Sequence, residues 1–285
     1  MFHSSLLHKI GYKYIPIEKL SSNESSDIYS VHSSPYEIQI LILFNKGFTE
    51  EKFAKQIEIY SRISQNKSSY FFKYISNSKD ELIVREKYIV LEFVEKGELK
   101  NYILSGKFFP EKLAKIAVYK IIGGISEMHR MGIVHKKISI EKIFLDKFYN
   151  FKIGDFGCAE FVGEDQKHLF KEDILDAGIV IIQLLTGKLE LKIIKDKIKT
   201  AIKKGNLKSF WRLIENQGGF DFSPELKNLL SLMFAGQITD IRKLLNHDWF
   251  DKIHSICPDE FRLHEQFMRN ELKKYEGDEN GESQA

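Results

Sequence analysis

The sequence predicts an α+β chain in two parts: a strand-rich first third carrying one helix, then a mainly helical remainder. Three observations predict it. Up to Phe93, short apolar runs rich in Ile, Val, Tyr and Phe alternate with turn-prone polar clusters, which is the pattern of strands. Between Pro110 and Met131, apolar residues recur at helical spacing. After Glu172, each apolar segment reads as helical.

In chain order, strands are expected at Ile15–Leu20, Asp27–Val31, Tyr36–Phe44, Leu82–Val84 and Tyr88–Phe93. A helix is expected over Thr49–Ser64, where Phe53, Ile57, Tyr60 and Ile63 recur at spacings of three and four. Thr49 suits its N-cap, with Glu50 and Glu51 in the first turn. A short helix is expected over Gly97–Ser105. The long Pro110–Met131 helix places Leu113, Ile116, Ala117, Ile121, Ile125 and Met128 on one face, and Gly132 stops it. Two short strands, Ile143–Leu145 and Phe151–Ile153, flank a turn. Helices are then expected at Asp173–Leu185, Leu191–Lys204, Lys208–Glu215, Pro224–Phe234 and Ile241–Leu245, and Trp211 and Trp249 read as core of the helical part.

Composition removes several classes. With 285 residues, 43% hydrophobic and 29% charged, the chain is neither disordered nor collagen-like. A net charge of +3 is too small to argue for nucleic acid. The two cysteines, Cys158 and Cys257, do not make a disulfide framework and suit a reducing compartment. The histidines show no zinc spacing. His3, His8 and Lys9 interrupt any signal-peptide core, and no apolar run is long enough for a membrane span. The expectation is a soluble intracellular protein, cytoplasmic or nuclear, with no transmembrane segment.

The informative stretch begins where the long helix ends. Ile133-Val134-His135-Lys136-Lys137 is followed by Glu141, Ile143, Leu145 and Asp146, and then by Asp155-Phe156-Gly157. Upstream stands Val90-Leu91-Glu92-Phe93-Val94-Glu95-Lys96-Gly97-Glu98-Leu99. Downstream stand Asp173 with Gly178, and Leu244-Leu245-Asn246-His247-Asp248-Trp249-Phe250. From about Tyr12 to Phe250 the chain resembles a eukaryotic-type protein kinase. The resemblance implies a bilobal fold: N-lobe 12–93, a hinge near Glu92–Lys96 and C-lobe 94–253. Beyond it a helical extension is expected over 254–275, and the Gly-, Asp-, Glu- and Asn-rich tail over 276–285 is expected to be disordered.

It also implies that the chemistry has been altered. A protein kinase needs a carboxylate for the substrate hydroxyl, a lysine on the phosphates and two metal-holding residues. Here the family's catalytic Asp falls on Lys137, the Lys two places on falls on Ser139, and the metal-binding Asn falls on Lys142. Gln39 replaces the phosphate lysine and Gln56 its glutamate partner. Glu37 replaces a small residue over the adenine, and the glycine-rich loop becomes Ser21-Ser22-Asn23-Glu24-Ser25-Ser26. Asp155 is the one metal ligand left. With Gln39, Gln56 and Leu91 it marks a degenerate nucleotide pocket.

Scaffold positions are retained. His135, Phe156 and Tyr60 match the family's internal hydrophobic stack and Asp173 its anchor. Gln39 and Gln56 are expected to pair as neutral amides. The activation segment, Cys158 to Glu172, is shorter than the family's and contains no Ser, Thr or Tyr, so phosphorylation cannot switch it. Its Ala-Pro-Glu anchor is absent, and the partner Arg falls near Ile238. Cys158 is expected to be a small packed residue. The expected function is that of a pseudokinase: a scaffold or allosteric partner of another protein, an active kinase being one candidate, with no catalytic residue and no cofactor. Three alternatives stay open. One is a divergent Ser/Thr kinase using Glu141 or Asp146 as base. Another is binding of ATP or another anion, with or without magnesium, through Lys136, Lys137 and Lys142. The last is a basic module for RNA or acidic lipid, built on the lysine-rich Leu189–Trp211 stretch.

Overall fold

The structure, a computed structural model, describes residues 10, 13–80, 86–104, 108–187, 196–198, 200–202, 207–218, 221–251, 266 and 268–274. The expected strand Leu82–Val84, most of the expected helix Leu191–Lys204 with most of its lysines, Cys257, most of 254–275 and the whole of 276–285 lie outside them. The chain divides into two compact units, Met1–Glu95 and Lys96–Ala285.

The first unit is built on a five-stranded antiparallel sheet. Its strands are β1 (Ile15–Ser22), β2 (Ser26–Ser34), β3 (Glu37–Phe44), β4 (Tyr74–Asn77) and β5 (Tyr88–Glu92), in the spatial order β1-β2-β3-β5-β4. Central β3 pairs Gln39 with Val31 on one side and with Glu92 on the other. Tyr29, Val31, Leu41, Leu43, Tyr88 and Val90 form the sheet's core with Ile10 and Tyr14. Tyr36, expected in the third strand, is 98% exposed in the turn instead. Pro35 before it has no N–H for a ladder, so the chain turns there.

Helix α1 (Glu50–Gln65) is capped as expected, with the Thr49 hydroxyl accepting from Lys52 N–H at 3.3 Å. Its buried face is Phe53, Gln56, Ile59, Tyr60 and Ile63. The apolar stripe is thus rotated from the expected one: Ile57 is half-buried, and a polar Gln lies inside.

The second unit is mainly helical. Short α2 (Asn101–Leu104) precedes α3 (Glu111–Arg130), α4 (Phe170–Thr186), α5 (Leu207–Gly218) and α6 (Pro224–Phe234). α3 ends where expected: Gly132 takes φ +69° and its N–H donates to the His129 carbonyl at 3.0 Å. All six apolar residues expected on one face of α3 are buried, and so are Ala114, Val118 and Ile122. α4 is buried almost throughout, and Gly178 lies so close to Phe234 of α6 that a Cβ would meet the ring at 2.6 Å. Glu111 ties the unit together: its carboxylate accepts from Trp249 Nε1–H at 2.7 Å and from the Ser223 hydroxyl at 2.6 Å. Ser223 in turn caps α6, accepting from Leu226 N–H at 3.2 Å.

Four short strands complete it: β6 (Ile133–Val134) pairs with β9 (Glu160–Phe161), and β7 (Ile143–Leu145) with β8 (Phe151–Ile153). The expected helix over Ile241–Leu245 is a 3-10 turn, Ile241–Asn246. Among the described residues, no helix is long and apolar enough to cross a membrane.

Candidate functional site

The loop after β6 is held by one carboxylate. Asp173, in the first turn of α4 and fully buried, accepts from His135 N–H, Lys136 N–H and His129 Nε2–H, each at 2.8 Å. Three donors satisfy a group that would be costly to bury alone. Lys136 sits in the left-handed region at φ 66°, and its ammonium lies 3.1 Å from Glu160 of the paired strand β9.

His135 is fully buried and lies 3.0 Å through Nε2 from the Gly154 carbonyl, which assigns the proton to Nε2. Its Nδ1 has no partner among the described residues. Burial pushes its pKa below the ordinary imidazole value, so the ring is neutral. The Phe156 ring stands 5.3 Å from it. Tyr60, the third expected stack member, is buried in the first unit.

The substituted positions follow. Lys137 is exposed. Ser139 is buried, and its carbonyl accepts from Lys142 N–H at 2.9 Å. The Lys142 carbonyl accepts from Gly154 N–H at 2.9 Å, so the β7–β8 hairpin closes with Lys142 beside Asp155. There the Lys142 ammonium forms a short ion pair with the Asp155 carboxylate, both side chains being partly buried. Asp155 is left-handed, φ 57° and ψ 66°, and accepts from Gly157 N–H at 3.4 Å. Burial pushes its carboxyl up, but the Lys142 ammonium outweighs this and holds it below the usual range. Glu98 lies within the same field. Burial raises its pKa, with Lys100 and Lys142 opposing and Glu141 and Asp155 adding to the rise.

This donor set does not fit a divalent metal ion. Magnesium requires oxygen ligands in near-octahedral array. Lys142 offers an ammonium with no lone pair, and it occupies the carboxylate that would be the ligand. Among the described residues no cluster of three metal-ligating side chains exists.

The first unit carries the other expected positions. The β1–β2 turn has closed on itself: Asn23 Oδ1 accepts from Ser25 N–H at 2.8 Å and from Ser26 N–H at 2.9 Å. The backbone amides that a phosphate would need are thus taken by a side chain of the same turn. Asn45 fixes the turn from β3's end, its Nδ2–H donating to the Glu24 carbonyl at 2.8 Å. Glu37 is exposed and accepts from the Ser33 hydroxyl at 3.1 Å. Leu91 is buried in β5, opposite Ile40.

Gln39 and Gln56 are both buried, but the expected amide pair is not made through Gln39 Oε1, which accepts no hydrogen bond among the described residues. Strand alternation puts Gln39 on the face it shares with Leu41 and Leu43, whose hydrocarbon side chains have no donor to give. Cys158, expected to be packed, is exposed with a free thiol, because the turn Phe156–Cys158 buries only Phe156.

Asn23 was legible as a side chain in the way of the turn's backbone, though not its bonds to Ser25 and Ser26 N–H. Sequence reasoning missed two participants, His129 and Glu98, which had no signal because long-range packing brings them in. Also missed was a cavity of about 460 Å³ at the end of α3, whose lining includes Arg130, Phe170, Asp240 and Arg242. Its charge is largely self-compensated: Arg242 reaches both Asp240 oxygens, at 3.0 and 2.8 Å.

Comparison with known proteins bears on the fold. The protein kinase domain family matches residues 43–171. The chain is 29% identical over 193 residues to the probable serine/threonine-protein kinase KCC4 of Saccharomyces cerevisiae, covering 59% of this chain and 18% of that protein. It is 29% identical over 177 residues to the serine/threonine-protein kinase polo of Drosophila melanogaster, covering 54% of this chain and 30% of that protein. These matches support the protein kinase superfamily. The antiparallel sheet of the first unit and the helices of the second are the strand-rich N-lobe and helical C-lobe of the kinase fold. The chain spans less than a third of either relative's length.

Proposed function

We propose that this chain is a kinase-fold protein without phosphotransfer, a pseudokinase that serves as scaffold or allosteric partner of another protein, an active kinase being the first candidate. A contrast within one loop carries the reading. Asp173 holds His135 and Lys136 by their backbone N–H groups, yet the next residue, where the family's carboxylate would accept the substrate proton, is the exposed Lys137. An ammonium cannot accept that proton. Losing the general base costs about 10²- to 10⁴-fold in rate.

Nucleotide sites are compromised in both units, by Asn23 on the amides of the β1–β2 turn and by Lys142 on Asp155. No cofactor is therefore part of the reading. The test is radiolabelled phosphotransfer by wild type and Asp155→Ala, alongside capture of partners from lysate. The expected result is no transfer that depends on Asp155, with a protein partner recovered. Transfer by wild type that Asp155→Ala abolishes would overturn the reading.

The relatives, named as Ser/Thr kinases, favour a second reading, a divergent active kinase with Glu141 as base. Glu141 already lies 3.9 Å from the Lys100 ammonium, an ion pair that a substrate hydroxyl would have to displace.

A further inference from the structure

The exchange at Asp155 has a chemical consequence beyond lost catalysis. Asp155, Glu98 and Glu141 act on one another electrostatically, but among the described residues they do not gather into a cluster that would hold a metal. Unneutralised, Asp155 by itself would still draw a divalent cation that keeps most of its waters. Here the neutralising charge is part of the chain itself. The Lys142 ammonium contacts Asp155 directly, and the Lys142 backbone is fixed at both ends, its N–H to the Ser139 carbonyl and its carbonyl to Gly154 N–H, each at 2.9 Å. The lysine does not have to find the carboxylate: the β7–β8 hairpin delivers it there.

We infer that Lys142 is a built-in monovalent counter-ion standing where a divalent metal would be held, so that this site is blind to magnesium and manganese. The inference rests on reading Asp155 as the surviving metal-site carboxylate. It predicts that the ammonium excludes the metal twice over, by its charge and by standing where an oxygen ligand would be. Removing the ammonium then restores metal affinity even though phosphotransfer stays absent. A longer cation keeps the metal out.

The experiment is a thermal-shift titration of the full chain with Mn²⁺ alone and with Mg²⁺ alone, each repeated with ATP, on wild type, Lys142→Asn, Lys142→Arg and the double variant Lys142→Asn/Asp155→Asn. Wild type and Lys142→Arg are expected to show no saturable metal shift. Lys142→Asn is expected to gain one, with Mn²⁺ affinity raised by about tenfold or more, since a like charge at contact distance is gone. The double variant is expected to lose it.

Manganese binding by wild type that needs Asp155 would overturn the inference, and so would a folded Lys142→Asn that gains nothing. Should Lys142→Asn fail to fold, Lys142→Gln and Mn²⁺-induced NMR line broadening of wild type separate the same two outcomes. The two readings fail separately. Metal-independent phosphotransfer would sink the proposed function and leave this one standing; metal binding without transfer would do the reverse.

Discussion

At the scale of single residues, His135 shows how burial sets a protonation state. It is fully buried, donates from Nε2 to Gly154, and leaves Nδ1 without a partner among the described residues. Its pKa is lowered from 6.5, first by burial. The unfolded chain therefore takes up this proton before the folded one does. The stability that the neutral ring contributes is complete above about pH 6.5 and is lost as pH falls towards the folded value. Urea-denaturation midpoints of wild type and His135→Phe, compared from pH 7.5 to 5.5 (about the histidine range), should converge as pH drops. A pH-independent difference would contradict a buried neutral imidazole. Asp155 titrates in another window, its pair with Lys142 being present above the unfolded carboxyl value and lost only as pH falls through the lowered folded one.

Elements meet through small residues and shared carboxylates. Gly178 lets α4 press against α6, and a Cβ there would sit 2.6 Å from the Phe234 ring. Gly178→Ala should destabilise by about 1–3 kcal/mol through overpacking, measured as a lowered thermal midpoint. Gly178→Ala/Phe234→Leu should recover part of the loss, because the three atoms nearest to a Cβ there all belong to that ring. No recovery would mean that the glycine is needed for something other than space. The element boundaries show what local pattern can do. Pro224–Phe234, Ile143–Leu145 and Phe151–Ile153 have the limits that the sequence predicts, because apolar runs there are bounded by turn residues. Strand β4, Tyr74–Asn77, and strand β9, Glu160–Phe161, are not legible. Each is short and mixed in polarity, and each exists because a distant strand pairs with it.

For the whole molecule, charge is the useful quantity. Lys+Arg 43 against Asp+Glu 40 leaves a near-balanced chain, and several lysines are paired, among them Lys136 with Glu160 and Lys227 with Glu215. RNA or acidic vesicles should bind weakly and let go between about 50 and 200 mM salt, where phosphate-dominated contacts weaken steeply. Tight binding that survives such a series would favour the basic-module alternative instead of a protein partner.

The sequence by itself determined the two-part architecture, the kinase-like loop and a lysine at position 137 of that loop, because these are written in periodicity, turn chemistry and residue identity at contiguous positions. Only the tertiary structure decided that Asn23 closes its own turn, that Gln39 Oε1 meets no donor among the described residues and that Lys142 rests on Asp155. Those are matters of which groups meet. Burial forces each buried polar group to find a partner or go without, and a linear chain does not say which group arrives first.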